Sequence, residues 1–185
     1  MAKYESMEAT APVLNPTWLK EEWETSNCKQ YLQSYQHVYL CTTRFNEQTY
    51  IQNQLARKRL RKPSFYCNST RIPNIRDEAY IFVLELNNSE NKVMGIGLIQ
   101  HILNDTVYRV YDNDFYNQPY FEGNAHIHRD NMHEDELSFL GSLDRICFYG
   151  KSHLKRRHGM TKFPIKILQL CEKNGLNILD KISDM

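Results

Sequence analysis

At 185 residues, with 41% apolar and 24% charged side chains, the chain has the composition of one soluble globular domain and is too short for two comfortable ones. Its net charge of +1 excludes a molecule-wide field, so a polyanionic partner can be argued only from local clustering. Five cysteines (Cys28, Cys41, Cys67, Cys147, Cys171), odd in number and without a CxxC pair, argue against a disulfide framework or a Cys-rich zinc site and read as reduced thiols.

Residues 1–14 (MAKYESMEATAPVL) carry no apolar signal core and read as a flexible lead-in. Asn15 and Pro16 then open a predicted helix through Trp18, Leu19 and Trp23, with Glu21, Glu22 and Glu24 near its start, and Tyr31, Leu32 and Tyr35 suggest a second short turn. HVYLCTT, 37–43, predicts a strand. Asn46 caps a predicted helix whose Tyr50, Ile51 and Leu55 share one face, and whose last turns carry the run ARKRLRK. Pro63 ends that helix, and Ser64 to Cys67 reads as a strand.

The clearest local signal is AYIFVLELNNSENKVMGIGLIQ, 79–100, in which two apolar runs flank a polar turn at 87–91 and predict a β-hairpin. Gly95 and Gly97 lie two apart and face one side of its return strand, leaving room for a helix, a ligand or tight curvature. TVYRVY, 106–111, predicts a third strand; EDELSFLGSLD a short helix through Leu137, Leu140 and Leu143; RICFYG, 145–150, a last strand with Cys147 in the core; and 164–183 one or two closing helices. The N-x-T at Asn68 and N-x-S at Asn87 read as chance matches to a glycosylation signal. The order predicts a single α+β domain over 15–185 with a mostly antiparallel sheet.

HVYLCTT, the helix with a basic end, and the return strand KVMGIGLI resemble the PUA-like superfamily, which includes the EVE, YTH and ASCH domains, over about residues 37–150. The resemblance implies a small curved β-barrel or sheet flanked by helices, with a groove beside the return strand that holds RNA or an extruded base. The pattern from YIFVLELNN through GIGLI to FYGKSHLKRRHGMTKFP is also similar to uncharacterised proteins of large nucleocytoplasmic DNA viruses. That similarity implies a viral protein of the host cytoplasm, nucleus or virion, and no activity. YTH readers cage a methyl group between tryptophans, whereas Trp18 and Trp23 lie outside the matched stretch; a cage here would need Phe45, Tyr50, Tyr66 or Tyr80.

Two runs are rich in cations and almost free of acids. From Arg57 to Arg76 there are seven cations and no Asp or Glu, and 150–164 is similarly basic, while Asp105 to Arg145 is mainly acidic. The functional reading makes Arg57, Lys58, Arg59, Arg61 and Lys62 one wall of a phosphate groove and Lys151, His153, Lys155, Arg156, Arg157 and Lys162 the other. Tyr66 and Tyr149 would stack bases, and Gly150 and Gly159 would let the backbone approach the strand. The plainer reading is solvated charge, helix-end cations and salt bridges to the acidic region.

His126, His128 and His133 with Glu134 have a spacing compatible with a metal, and Asp112, Asp114, Asp130 and Glu134 could hold Mg²⁺ in a nuclease; both stand as minor alternatives. No nucleophile motif, Walker loop or dinucleotide fingerprint is present. The expected function is therefore non-catalytic nucleic-acid binding, RNA or DNA, without cofactor, metal or membrane. The alternative is a viral structural or interaction protein that binds another copy or another viral protein.

Overall fold

The computed structural model describes residues 38–102, 104, 106–156 and 159–185. The expected lead-in, the helix opened by Asn15 and Pro16, the turn at Tyr31–Tyr35, and Arg157 lie outside them.

Strand β1 (Val38–Phe45) is followed by helix α1 (Glu47–Leu60), whose start is fixed by Asn46: its side chain accepts from the Thr49 amide while the Thr49 hydroxyl accepts from the Asn46 amide. The helix stops where Arg61 turns left-handed, two residues before Pro63. Strand β2 (Ser64–Cys67) leads on to the hairpin β3 (Tyr80–Asn87) and β4 (Lys92–Gln100), at the predicted place and with the predicted turn. Strands β5 (Tyr120–Gly123) and β6 (Ala125–His128) precede helix α2 (Glu134–Phe148), the two-residue strand β7 (Thr161–Lys162), and the closing helices α3 (Ile165–Lys173) and α4 (Ile178–Ser183).

The main sheet has the order β6-β4-β3-β1-β7 and is open, so the described residues form an α+β domain without a closed barrel. Its pairs are antiparallel except β1 with β3, which run parallel because α1 and β2 intervene as a crossover. Both faces are covered. On one, Leu40, Leu84, Leu86 and Ile96 pack under α2, α3 and α4; on the other, Cys41, Ile81, Val83 and Ile99 pack under α1 and the β2–β5 ribbon. Burial on both faces explains why β3 reads as a nearly continuous apolar run. No described helix is long and apolar enough to cross a membrane.

Three expectations change. RICFYG is not a strand: through Phe148 it continues α2, because Leu140, Leu143 and Cys147 fall on one helical stripe that is buried. TVYRVY forms no strand, since the Asn117 side chain takes the amides of Val110 and Tyr111 and returns a bond to the Tyr111 carbonyl. On α1 the inward face is Asn53, Ala56 and Arg57, whereas Ile51 and Leu55 face solvent.

Candidate functional site

The period-two placement of Gly95 and Gly97 has a definite occupant. A methyl at Gly97 would lie 2.1 Å from the Tyr66 hydroxyl and 2.6 Å from that of Ser64, and one at Gly95 would lie 3.0 Å from His126 Nε2. The missing side chains admit polar groups from β2 and β6 to the sheet surface, where β3 supplies a fully buried carboxylate, Glu85. Its Oε1 accepts from Arg57 Nη1 at 2.5 Å, Tyr66 Oη at 2.7 Å and His126 Nε2 at 3.0 Å. Its Oε2 has no hydrogen-bond partner among the described residues.

Burial is the largest influence on this carboxyl and pushes its pKa up, but the His126 bond, the Arg57 and His126 charges and the Tyr66 bond outweigh it and hold the pKa at about 2. Glu85 is therefore ionised at neutral pH. Burial, with Glu85 next, drives the Tyr66 hydroxyl well above its usual range, so it stays a proton donor. These bonds to one carboxylate fix α1, β2 and β6 to β3.

This cluster corrects two expected site residues. Arg57 is buried against Glu85 and reaches no phosphate, and Tyr66 is fully buried and stacks on no base. Of the other aromatics named for a cage, Phe45 is buried and Tyr50 packs edge-on against it, its hydroxyl 2.8 Å from His128 Nε2; Tyr80 is exposed.

The two basic runs do not line one groove. Lys62, just past the end of α1, pairs with Glu122 at 2.9 Å near Tyr80 and Gln100, which face each other at the open end of the hairpin. The middle of the second run lies by the hairpin's turn, where Lys155 Nζ donates to Asn91 Oδ1 at 2.5 Å and its carbonyl accepts from Asn88, whereas Lys162, at the run's end, pairs on β7 with Cys41. Eight residues of strand separate these ends, about 25 Å at the usual rise. The backbone of the second run is held down by Arg44, whose guanidinium donates to the carbonyls of Leu154 and Gly159 and to the Thr161 hydroxyl.

Within that run Lys151, Arg156 and Tyr149 are exposed, His153 is half-buried, and Lys162 donates to the Asn74 carbonyl with its ammonium 4.9 Å from the centre of the Tyr39 ring. At the other end Lys58, Arg59 and Arg61 are exposed at the end of α1.

The histidines are also committed. His128 Nδ1 accepts the Asp130 amide, His126 is held by Glu85, and His133 precedes α2 as its N-cap. Among the described residues no three His, Cys, Asp or Glu side chains converge as metal ligands. Asp112 accepts from Gln48 and Asp114 pairs with Arg109, so these carboxylates too are spoken for.

What the surface does offer is a cleft of about 400 Å³ at the open end of the hairpin. Strand β6 pairs with β4 only from Gly95 to Leu98; the chain before it passes Gly123 against the backbone of Leu98 and Ile99, and the cleft opens between Gly123, Asn124 and Gln100. Tyr80, 53% exposed, and Ile102, 46% exposed, supply apolar wall; Gln100, Asn104 and Asn124 supply amides; Lys62 and Glu122 supply opposite charges. Sequence reading named Lys62 but missed the amides, which come from a strand end and two loops with no shared spacing. No protein-family model, curated protein or solved structure matches the chain.

Proposed function

We propose that the domain binds single-stranded or locally opened nucleic acid without catalysing a reaction, with one base in the cleft at the end of β4 and phosphates on the basic end of α1. The observation that carries the reading is the pairing of an exposed aromatic with amides in a cleft of nucleotide size, next to Lys58, Arg59 and Arg61. Lys62 is neutralised by Glu122, so the cleft itself has little net charge and suits a neutral base rather than a phosphate. The exposed cations just outside it suit phosphates. The likeness of KVMGIGLI to the PUA-like return strand, beside which that superfamily holds RNA or an extruded base, supports the same placement.

Titrating generic RNA and DNA oligonucleotides by fluorescence anisotropy tests this. Affinity should fall steeply with salt, and replacing Lys58, Arg59 and Arg61 together by Ala should reduce the log–log slope by roughly 2, near 0.7 per lost contact on a single strand. Tyr80→Ala should weaken binding by about 1–3 kcal/mol while leaving the slope unchanged. Absence of binding at low salt would reject the reading and favour an interaction or structural protein.

A further inference from the structure

The outward face of α1 exposes two aliphatic side chains, and its chemistry points to a segment of the same chain. Ile51 and Leu55 lie one turn apart and are 50% and 62% exposed, and Lys58 and Arg59 continue the stripe toward the end of the helix. One border of the stripe is closed, since Gln48 donates to Asp112 and Arg59 to the Arg109 carbonyl. Two exposed aliphatic side chains alone are ordinary. Two apolar positions followed by two cations on one helical stripe form a more selective surface, fit for a short peptide that is apolar and acidic.

We propose that residues 16–24 of this chain, PTWLKEEWE, which lie outside the described residues, dock on this stripe, with Trp18, Leu19 and Trp23 against Ile51 and Leu55 and with Glu21, Glu22 and Glu24 facing Lys58 and Arg59. Charge is complementary: three carboxylates meet the acid-free basic end of α1. The point of entry is also right. Val38, where the described chain begins, pairs with Tyr80, and Tyr80 shares its cleft with Lys62, two residues past the helix. The segment is thus tethered at the basic end of α1. The fifteen residue steps from Trp23 to Val38 span up to about 50 Å, while α1 is about 21 Å long, so the whole stripe lies within reach. Burial of indole rings on aliphatic side chains supplies the hydrophobic drive, and the acidic groups set the register.

The segment uses Lys58 and Arg59, the same cations proposed above for phosphates, so docking and nucleic-acid binding would compete; the test contains no nucleic acid and reads docking alone. Both tryptophans of the chain lie in the segment, so intrinsic emission of the full-length protein reports its environment directly. Native emission should be blue-shifted, with acrylamide quenching severalfold weaker than in urea. Leu55→Asp, at an exposed position that leaves the core alone, should return both readouts to solvent values while far-ultraviolet circular dichroism is unchanged. Should that variant disturb the fold, Ile51→Lys makes the same comparison. Converting Glu21, Glu22 and Glu24 together to Lys should also release the tryptophans. Solvent-like emission of the unmodified protein, or protected emission indifferent to Leu55→Asp and Ile51→Lys, overturns the proposal. Protection that fades on dilution places the segment on a second copy and overturns the intramolecular assignment.

Discussion

Glu85→Gln is expected to destabilise the domain by about 3–5 kcal/mol, the range for breaking one side of a buried ion pair. The substitution keeps shape and volume but removes the charge, and Arg57, buried beside it, is left as a cation without its counter-ion. Replacing both by neutral groups, as in Arg57→Met with Glu85→Gln, should cost less than Glu85→Gln alone, because desolvated charge is then absent on either side. Urea midpoints at constant slope measure both. A loss below about 1 kcal/mol for Glu85→Gln would show that the cluster does not hold α1 to the sheet.

The same carboxylate sets an acid limit. Its folded pKa of about 2 lies below the ordinary 4.5, so the unfolded chain binds the proton more readily. The stabilisation is complete above the unfolded value and is lost as pH falls from about 4.5 through about 2. Integrated over that window it is roughly 3 kcal/mol, at 1.36 kcal/mol per pKa unit. Stability of Glu85→Gln should be correspondingly flatter there.

What could be read locally and what could not divide along physical lines in these residues. The hairpin was legible because two apolar runs and a polar turn lie together in sequence, and the cap at Asn46 because its partner is three residues away. The inward face of α1 was not. Its buried positions are Asn53, Ala56 and Arg57, so apolar periodicity selected the opposite, exposed stripe of Ile51 and Leu55. Arg57 counted as one more surface cation because the carboxylate that draws it inward stands 28 residues away. Nor could the charge runs show that Lys155 sits at the hairpin's turn while Lys62 sits at its open end, since the distance between them is set by the length of the strands they abut. RICFYG alternates like a strand, yet the stripe begun by Leu140 and Leu143 continues through Cys147 and keeps it helical.

The glycine pair, whose common face was legible but whose neighbour was not, yields the second large effect. Gly97→Ala is expected to cost about 2–4 kcal/mol, combining overpacking with damage to a buried hydrogen bond. The new methyl would stand 2.1 Å from the Tyr66 hydroxyl, which is the group that donates to Glu85 at 2.7 Å, and 2.6 Å from the Ser64 hydroxyl, which donates to the Ala125 carbonyl. Withdrawal of either strains or breaks its bond, and the ring of Tyr66 is fully buried in the close-packed interior. Tyr66→Phe removes the nearest clashing atom, so the double variant should be more stable than the two single losses predict, by about 1 kcal/mol or more. The rescue is partial, because Ser64 and the ring carbon at 3.0 Å remain. Gly141→Ala serves as the control: inside α2, with nothing within 4 Å of the added methyl, it should instead stabilise by about 0.5–1 kcal/mol through helix propensity. Opposite signs for one chemical change at two glycines would place the cost of Gly97→Ala in its contact with Tyr66 and Ser64; equal effects, or strict additivity with Tyr66→Phe, would remove that contact as the cause.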